Sequence, residues 1–160
     1  MTCQELQSEP FLASALFDVM PFVPLFAALA RVSGTPFVEL IRKATMGQCR
    51  YDSRTVYRAI FSTDRPTDVP DRISRFCTQY YDFGTYRASM PKPKRVVVVH
   101  ADVPEYAYAW QGPMSIAYTE ECARIVGAKG VSPLSHTSVP AGKKGGFPLV
   151  TMETEFAWGE

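Results

Sequence analysis

The stretch Arg75-Phe76-Cys77-Thr78-Gln79-Tyr80-Tyr81-Asp82-Phe83-Gly84-Thr85-Tyr86-Arg87 decides how this chain folds, because its apolar residues change period part-way along. Up to Tyr80 the spacing is helical, with Ile73, Phe76, Cys77 and Tyr80 on one face behind a capping Asp71. From Phe83 to Ser89 it is that of a strand. The residues before the stretch read as helix, and those after it as two strands, a helix and two more strands. The predicted fold class is therefore α+β: an N-terminal helical layer followed by a β-β-α-β-β unit with a four-stranded antiparallel sheet, helices covering one side.

The 160 residues suffice for a single domain with a continuous core. Residues 1–9 read as a flexible N-terminus, 10–81 as the helical layer, and 82–160 as the sheet with one helix. Within the helical layer, Phe11, Leu12, Ala15, Leu16 and Val19 predict a short first helix. Pro21 and Pro24 restart the chain, and Leu25, Phe26, Leu29, Ala30 and Val32 predict a second helix capped by Gly34. Thr35-Pro36-Phe37-Val38-Glu39 supplies a capping hydroxyl, a proline for the first helical position and an acid for the first turn. Two consecutive helices with a kink near Gly47 are predicted from there to Phe61, the second capped by Asp52.

In the second half, Met90-Pro91-Lys92-Pro93 reads as the first turn, since neither proline can donate to a ladder. Lys94 to Ala101 holds four successive valines, the mark of an interior strand covered on both faces. Val103 to Gly112 reads as an aromatic loop, and Pro113 as the start of a helix ended by Gly127. Val131 to Val139 is a third strand and Ala141 to Gly146 a hairpin loop. The last strand alternates, with Val150, Met152, Thr154, Phe156 and Trp158 facing inward.

Composition narrows the function. Lys and Arg number 17 against 16 Asp and Glu, so a net charge of +1 offers no field to attract nucleic acid or an anionic membrane. Lys92, Lys94 and Arg95 read as a charged turn rather than a phosphate site. The four cysteines form no C-x-x-C pair and no signal peptide precedes them, which predicts reduced thiols in a cytoplasmic protein, Cys77 and Cys122 being buried. The uncharged run from Val19 to Ala30 is broken by two prolines and too short for a membrane span.

No residue is assigned a catalytic role. The candidates are His100, closing the valine strand, and Asp102, two residues on and able on a regular strand to orient its imidazole. The alternative is a merely hydrogen-bonded strand-end histidine, and no Ser or Cys stands near in sequence as a nucleophile. His136 reads as an exposed strand residue, and no metal site is predicted. The aromatic side chains are more informative, because large rings with polar tips line ligand pockets and partner surfaces. Tyr80 and Phe83 are assigned to the core by their period. Tyr81, Tyr86, Arg87, Tyr106, Tyr108 and Trp110 are the predicted ligand-binding residues, Arg87 being able to meet a carboxylate or phosphate, or to pair with Asp82.

The order of elements, the stretch Phe22 to Phe61, the hinge Arg75 to Gly84, the turn Gly127-Ala128-Lys129-Gly130-Val131 and the closing Phe156-Ala157-Trp158 resemble a small paralogous family found in myxobacteria (Myxococcales). That family is similar in layout to the superfamily of TRAPP subunits, vinyl-reductase-type ligand-binding domains and haem nitric-oxide-binding domains. The resemblance implies a domain that binds an apolar small molecule between helices and sheet, or a signalling protein partner, frequently as a homodimer. Two departures stand out: the cysteine-rich C-terminal pattern of the vinyl-reductase-type domains is absent, and Tyr51-Asp52-Ser53-Arg54 misses the Tyr-x-Ser-x-Arg spacing of the haem sensors by one. Neither histidine falls in a predicted helix, so no haem ligand is assigned.

The function expected is a non-enzymatic small-molecule-sensing or protein-interaction domain in bacterial signalling. Its apolar pocket would be bounded by the hinge helix, the first two strands and the Tyr106 to Trp110 loop. No cofactor is assigned, an apolar small molecule and haem being the candidates. The alternatives are a small enzyme using a His100/Asp102 acid-base pair, a sensor of haem or another tetrapyrrole, and a structural adaptor assembling through the aromatic loop.

Overall fold

The computed structural model describes residues 21–55, 57–62, 65, 68, 72, 74, 81 and 83–159. The first short helix, the face formed by Ile73, Phe76, Cys77 and Tyr80, and the N-terminal segment 1–9 lie outside the described residues; Arg72 and Ser74 are helical.

Helix α1 spans Phe22–Ser33. Pro24 sits in its first turn, where a missing N–H leaves no bond unmade. Gly34 ends it at φ 65°, a left-handed conformation that glycine adopts without steric penalty, while Thr35 N–H donates to the Ala30 carbonyl at 3.1 Å. Helix α2, Phe37–Asp52, follows at 106° to α1. Pro36 is its N-cap residue rather than its first helical one, and no side chain caps it. The kink anticipated near Gly47 does not occur: α2 runs unbroken through that glycine, and the chain turns only after Asp52, before the short helix α3, Arg58–Phe61. A single glycine costs a helix about 1 kcal/mol, less than the burial of Ile41, Thr45 and Cys49 on the same face contributes.

Four strands follow, β1 (Thr85–Lys92), β2 (Arg95–Pro104), β3 (Ser132–Lys144) and β4 (Phe147–Ala157), with helix α4 (Glu105–Ile125) between β2 and β3. All neighbours are antiparallel and the order is β1-β2-β4-β3. The valine strand is thus interior, as its composition predicts. Its two faces differ, however: Val96, Val98 and His100 are buried, whereas Val97 and Val99 are half-buried. Pro91 on β1 and Pro133 and Pro140 on β3 fall on edge strands, where an absent donor is tolerated, while the interior strands carry proline only near an end, Pro104 closing β2 and Pro148 opening β4. The first turn is at Pro93-Lys94, beyond the anticipated Met90 to Pro93. The third strand runs past Val139 to Lys144, and Gly145-Gly146, both at positive φ, close the β3-β4 hairpin.

The largest correction concerns 103–112. These residues do not form a loop; α4 begins at Glu105 and carries Tyr106, Tyr108 and Trp110, with Pro113 inside it. The helix lies against α1 and α2 on one side and against β2, β3 and β4 on the other. Its apolar residues therefore circle the axis instead of forming one stripe, and burial on both sides outweighs the lost Pro113 hydrogen bond. One core cluster joins Cys49 and Cys122, from α2 and α4, to Tyr86, Val96, Val98 and Phe156 of the sheet. A second joins Val103, Ala107, Val150 and Met152.

Candidate functional site

Strand β2 does not stay regular to its end. His100 faces Met152 of β4 and Val103 faces Val150, so three steps on β2 oppose two on β4, the signature of a bulge. Asp102 takes up the extra residue at φ 58°, which turns its side chain to solvent while His100 remains buried at 4% exposure. The bulge thus separates the proposed acid-base pair. The partner of His100 Nδ1 is the Gln111 amide of α4, at 3.3 Å.

Rings close around that imidazole. Tyr86, its cross-strand neighbour on β1, approaches edge-on with centroids 5.6 Å apart, and Phe83 lies parallel to it at 6.5 Å. Tyr81 stands 6.2 Å from His100, 5.3 Å from Phe83 and 6.4 Å from Trp110, which in turn meets Phe22 of α1 at 5.2 Å. The cluster sits at the seam between the helices and the sheet. Burial pushes the His100 imidazole down from 6.5 to about 4, so it is neutral at physiological pH. If Gln111 Nε2 donates to Nδ1, the ring proton is on Nε2.

Gln111 is fully buried, yet its Oε1 accepts from no group among the described residues. Turning the amide over would exchange its ends and still leave one without a partner. A buried amide end without a hydrogen bond costs roughly 1–3 kcal/mol, and such groups commonly mark a site for water or a ligand.

The predicted ligand-binding residues divide among three places. Tyr81, Tyr86 and Trp110 join the cluster. Tyr106, further along the surface, meets Phe147 of β4 at 6.3 Å. Tyr108 stacks on His136 of β3 with centroids 6.0 Å apart, its hydroxyl 3.3 Å from Nε2, while His136 Nδ1 lies 2.8 Å from Thr154 Oγ1. His136 is consequently half-buried rather than exposed, and burial lowers its basicity. Arg87 is exposed one residue from buried Tyr86, hence on the opposite face of the sheet and away from the cluster. Gln111 and Phe22 were not singled out from the sequence. Only the helical phase of 105–125 brings Gln111 under His100.

No family model and no curated protein matches the sequence. Solved structures do. An oxygen-binding H-NOX domain related to soluble guanylate cyclases aligns with a TM-score of 0.68 and 10% identity over 96% of this chain and 78% of its own. A structure bearing on the molecular mechanism of H-NOX activation gives 0.68 and 11% over 96% and 80%. A structure concerned with haem redox potential and porphyrin distortion gives 0.67 and 12% over 94% and 81%. This chain has the H-NOX fold.

The haem of that last protein raises the question of whether the histidines here could hold one. Both nitrogens of His136 face hydroxyl partners. His100 Nδ1 faces Gln111, and its Nε2 edge faces Gly84, where even a Cβ would sit 3.3 Å from Nε2 and 2.6 Å from the Ala101 carbonyl oxygen. A metal about 2 Å from that nitrogen, with a macrocycle around it, has no room without moving the Gly84 and Ala101 backbone. Neither of the chain's two histidines fits a haem iron in this conformation. Among the described residues no group of three or more His, Cys, Asp or Glu is placed to hold a metal ion, and no single helix is long and apolar enough to cross a membrane.

Proposed function

We propose that this protein is a non-enzymatic sensing domain that takes an apolar small molecule at the ring cluster around His100, between helices and sheet. The observation that carries the reading is the buried Gln111 amide, one end of which has no partner among the described residues, set against a neutral imidazole among aromatic rings. The H-NOX fold supports it by analogy of architecture. Trp110 and Gln111 of α4, Phe22 of α1 and Tyr86 of β1 converge there, so a bound molecule that prefers one arrangement of these elements would shift their equilibrium and with it a dimer or signalling contact. We place the protein in the cytoplasm, where its cysteines stay reduced.

An acid-base role for His100 is disfavoured, because a neutral imidazole held near pKa 4 is a weak base and Asp102 points away from it. A haem or tetrapyrrole sensor is the second reading, favoured by the solved H-NOX structures. It requires a histidine to give up its present partners, or a ligand that is not histidine.

Native mass spectrometry and thermal shift on the purified full chain, with a panel of flat metabolites, lipids and haemin, test the reading. A ligand that raises the unfolding midpoint in the parent and not in His100→Ala or Trp110→Ala supports it. A bare polypeptide mass with no shift from any compound ends it. A Soret band that survives gel filtration would establish the haem reading instead.

A further inference from the structure

Resting on the reading above, the chemistry of the cluster narrows the class of molecule it takes. Three observations bear on this. The amide of Gln111 is fully buried and, among the described residues, paired at one end only, so the ligand needs one polar group complementary to a primary amide. Three rings, Tyr81, Phe83 and Tyr86, surround His100 and Trp110 extends them from Tyr81, so the rest of the ligand is rewarded for being flat and apolar. Arg87 and Asp102, the described charged residues nearest in sequence to Tyr86 and His100, are both exposed, so neither is a counter-ion buried beside the rings for an anion or cation bound there.

We propose that the seam between α4 and the β1-β2 pair binds an uncharged aromatic heterocycle of one or two rings carrying a lactam or amide edge, that edge pairing with the open end of the Gln111 amide. A hydrogen-bonding site discriminates strongly against an isostere that lacks the matching group, because the buried partner is then left unmade. Fatty acids and other carboxylates are rejected for want of a counter-ion. Pure hydrocarbons bind through the rings alone.

The experiment compares three probes on the full chain by ligand-detected NMR competition: 2-quinolinone, which carries the lactam edge; naphthalene, its hydrocarbon counterpart; and quinoline-2-carboxylate, the anion. The expected result is 2-quinolinone binding about tenfold tighter than naphthalene, the scale of one buried hydrogen bond, with the carboxylate weakest. In Gln111→Leu and Gln111→Met the tenfold preference collapses while naphthalene binding persists; two apolar replacements guard against one of them misfolding. Equal affinity of the lactam and the hydrocarbon in the parent would mean that water already satisfies the amide, and overturns the proposal. So does a preference that survives both substitutions, or the failure of all three probes. If all three fail while another compound binds in a His100-dependent manner, the sensing reading stands and only the ligand class falls; if nothing binds at all, both fall.

Discussion

At its C-terminal half α4 buries two carboxylates, Glu120 and Glu121, and arginines of α2 meet both: Arg42 bonds Glu120, and Arg50 bonds Glu121 at 2.6 Å, with Arg124 adding a second contact to Glu121. Tyr118 donates to Asp52 at 3.0 Å, and burial holds that phenol well above its ordinary pKa, so it remains a donor. At its N-terminal half the same helix buries one amide, Gln111, and half of it is met by nothing among the described residues. Both ends carry polar groups into the interior. At one end every buried carboxylate named has a partner, which ties α4 to α2; at the other, Gln111 Oε1 has none among the described residues. That contrast between a paired and a half-paired end of one helix is what the proposed site rests on.

The largest test of this contrast is at the paired end. Arg42→Ala strands Glu120, 3% exposed, without its cation and is expected to cost on the order of 3–4 kcal/mol in urea denaturation. Arg42→Leu combined with Glu120→Leu should recover most of that loss. A single-variant cost below about 1 kcal/mol would show that the interface is not fixed by this pair.

The next effect lies at the half-paired end and depends on pH. His100 is held at about 4 in the fold against 6.5 unfolded, so between those values the unfolded chain binds its proton first. Stability from this group is therefore full above about pH 6.5 and falls by about 3 kcal/mol as pH drops to about 4. His136, also shifted down by burial, adds in the same direction. Asp52 opposes both: burial raises its pKa, against the hydrogen bonds from Gln48 and Tyr118, so acidification through its folded value stabilises. His100→Gln should flatten most of the slope when unfolding free energies are compared at about pH 7 and about pH 4.5. A slope unchanged in that variant would mean that His100 is not the buried base described.

Gly84→Ala is smaller and local. At φ +71° an alanine is strained, and its Cβ would meet the Ala101 carbonyl oxygen at 2.6 Å and His100 Nε2 at 3.3 Å. A loss of about 2 kcal/mol is expected, together with a shifted His100 ring resonance in NMR; a silent substitution would show that the cluster is looser than it looks. Arg87→Ala should do least. On the far face of the sheet it is expected to change stability by under about 0.5 kcal/mol and ligand affinity not at all, whereas a loss of binding would return Arg87 to the site.

Much of the fold was legible in the residues. The change of period at Phe83, the four valines and the alternation from Val150 to Trp158 settled an α+β chain with an antiparallel sheet and an interior β2, because strand and helix periods are local properties of the sequence. Gly34 marked the end of α1 for the same reason. The ring cluster around His100 was legible only in part. Tyr81, Tyr86 and Trp110 were named from their chemistry, but Arg87, Tyr106 and Tyr108 went elsewhere and Gln111 was missed.

The difference has one physical origin. Sequence alone determines whatever a residue's own neighbours along the chain dictate, such as turns, caps and strand alternation. Tertiary structure decided the rest: that 105–125 is one helix through Pro113, since contacts on both of its sides erase the apolar stripe by which a helix is recognised, and that the bulge at Asp102 parts it from His100 while α4 brings Gln111 beneath the imidazole. Which polar atom is left without a partner follows only from where every other group has gone.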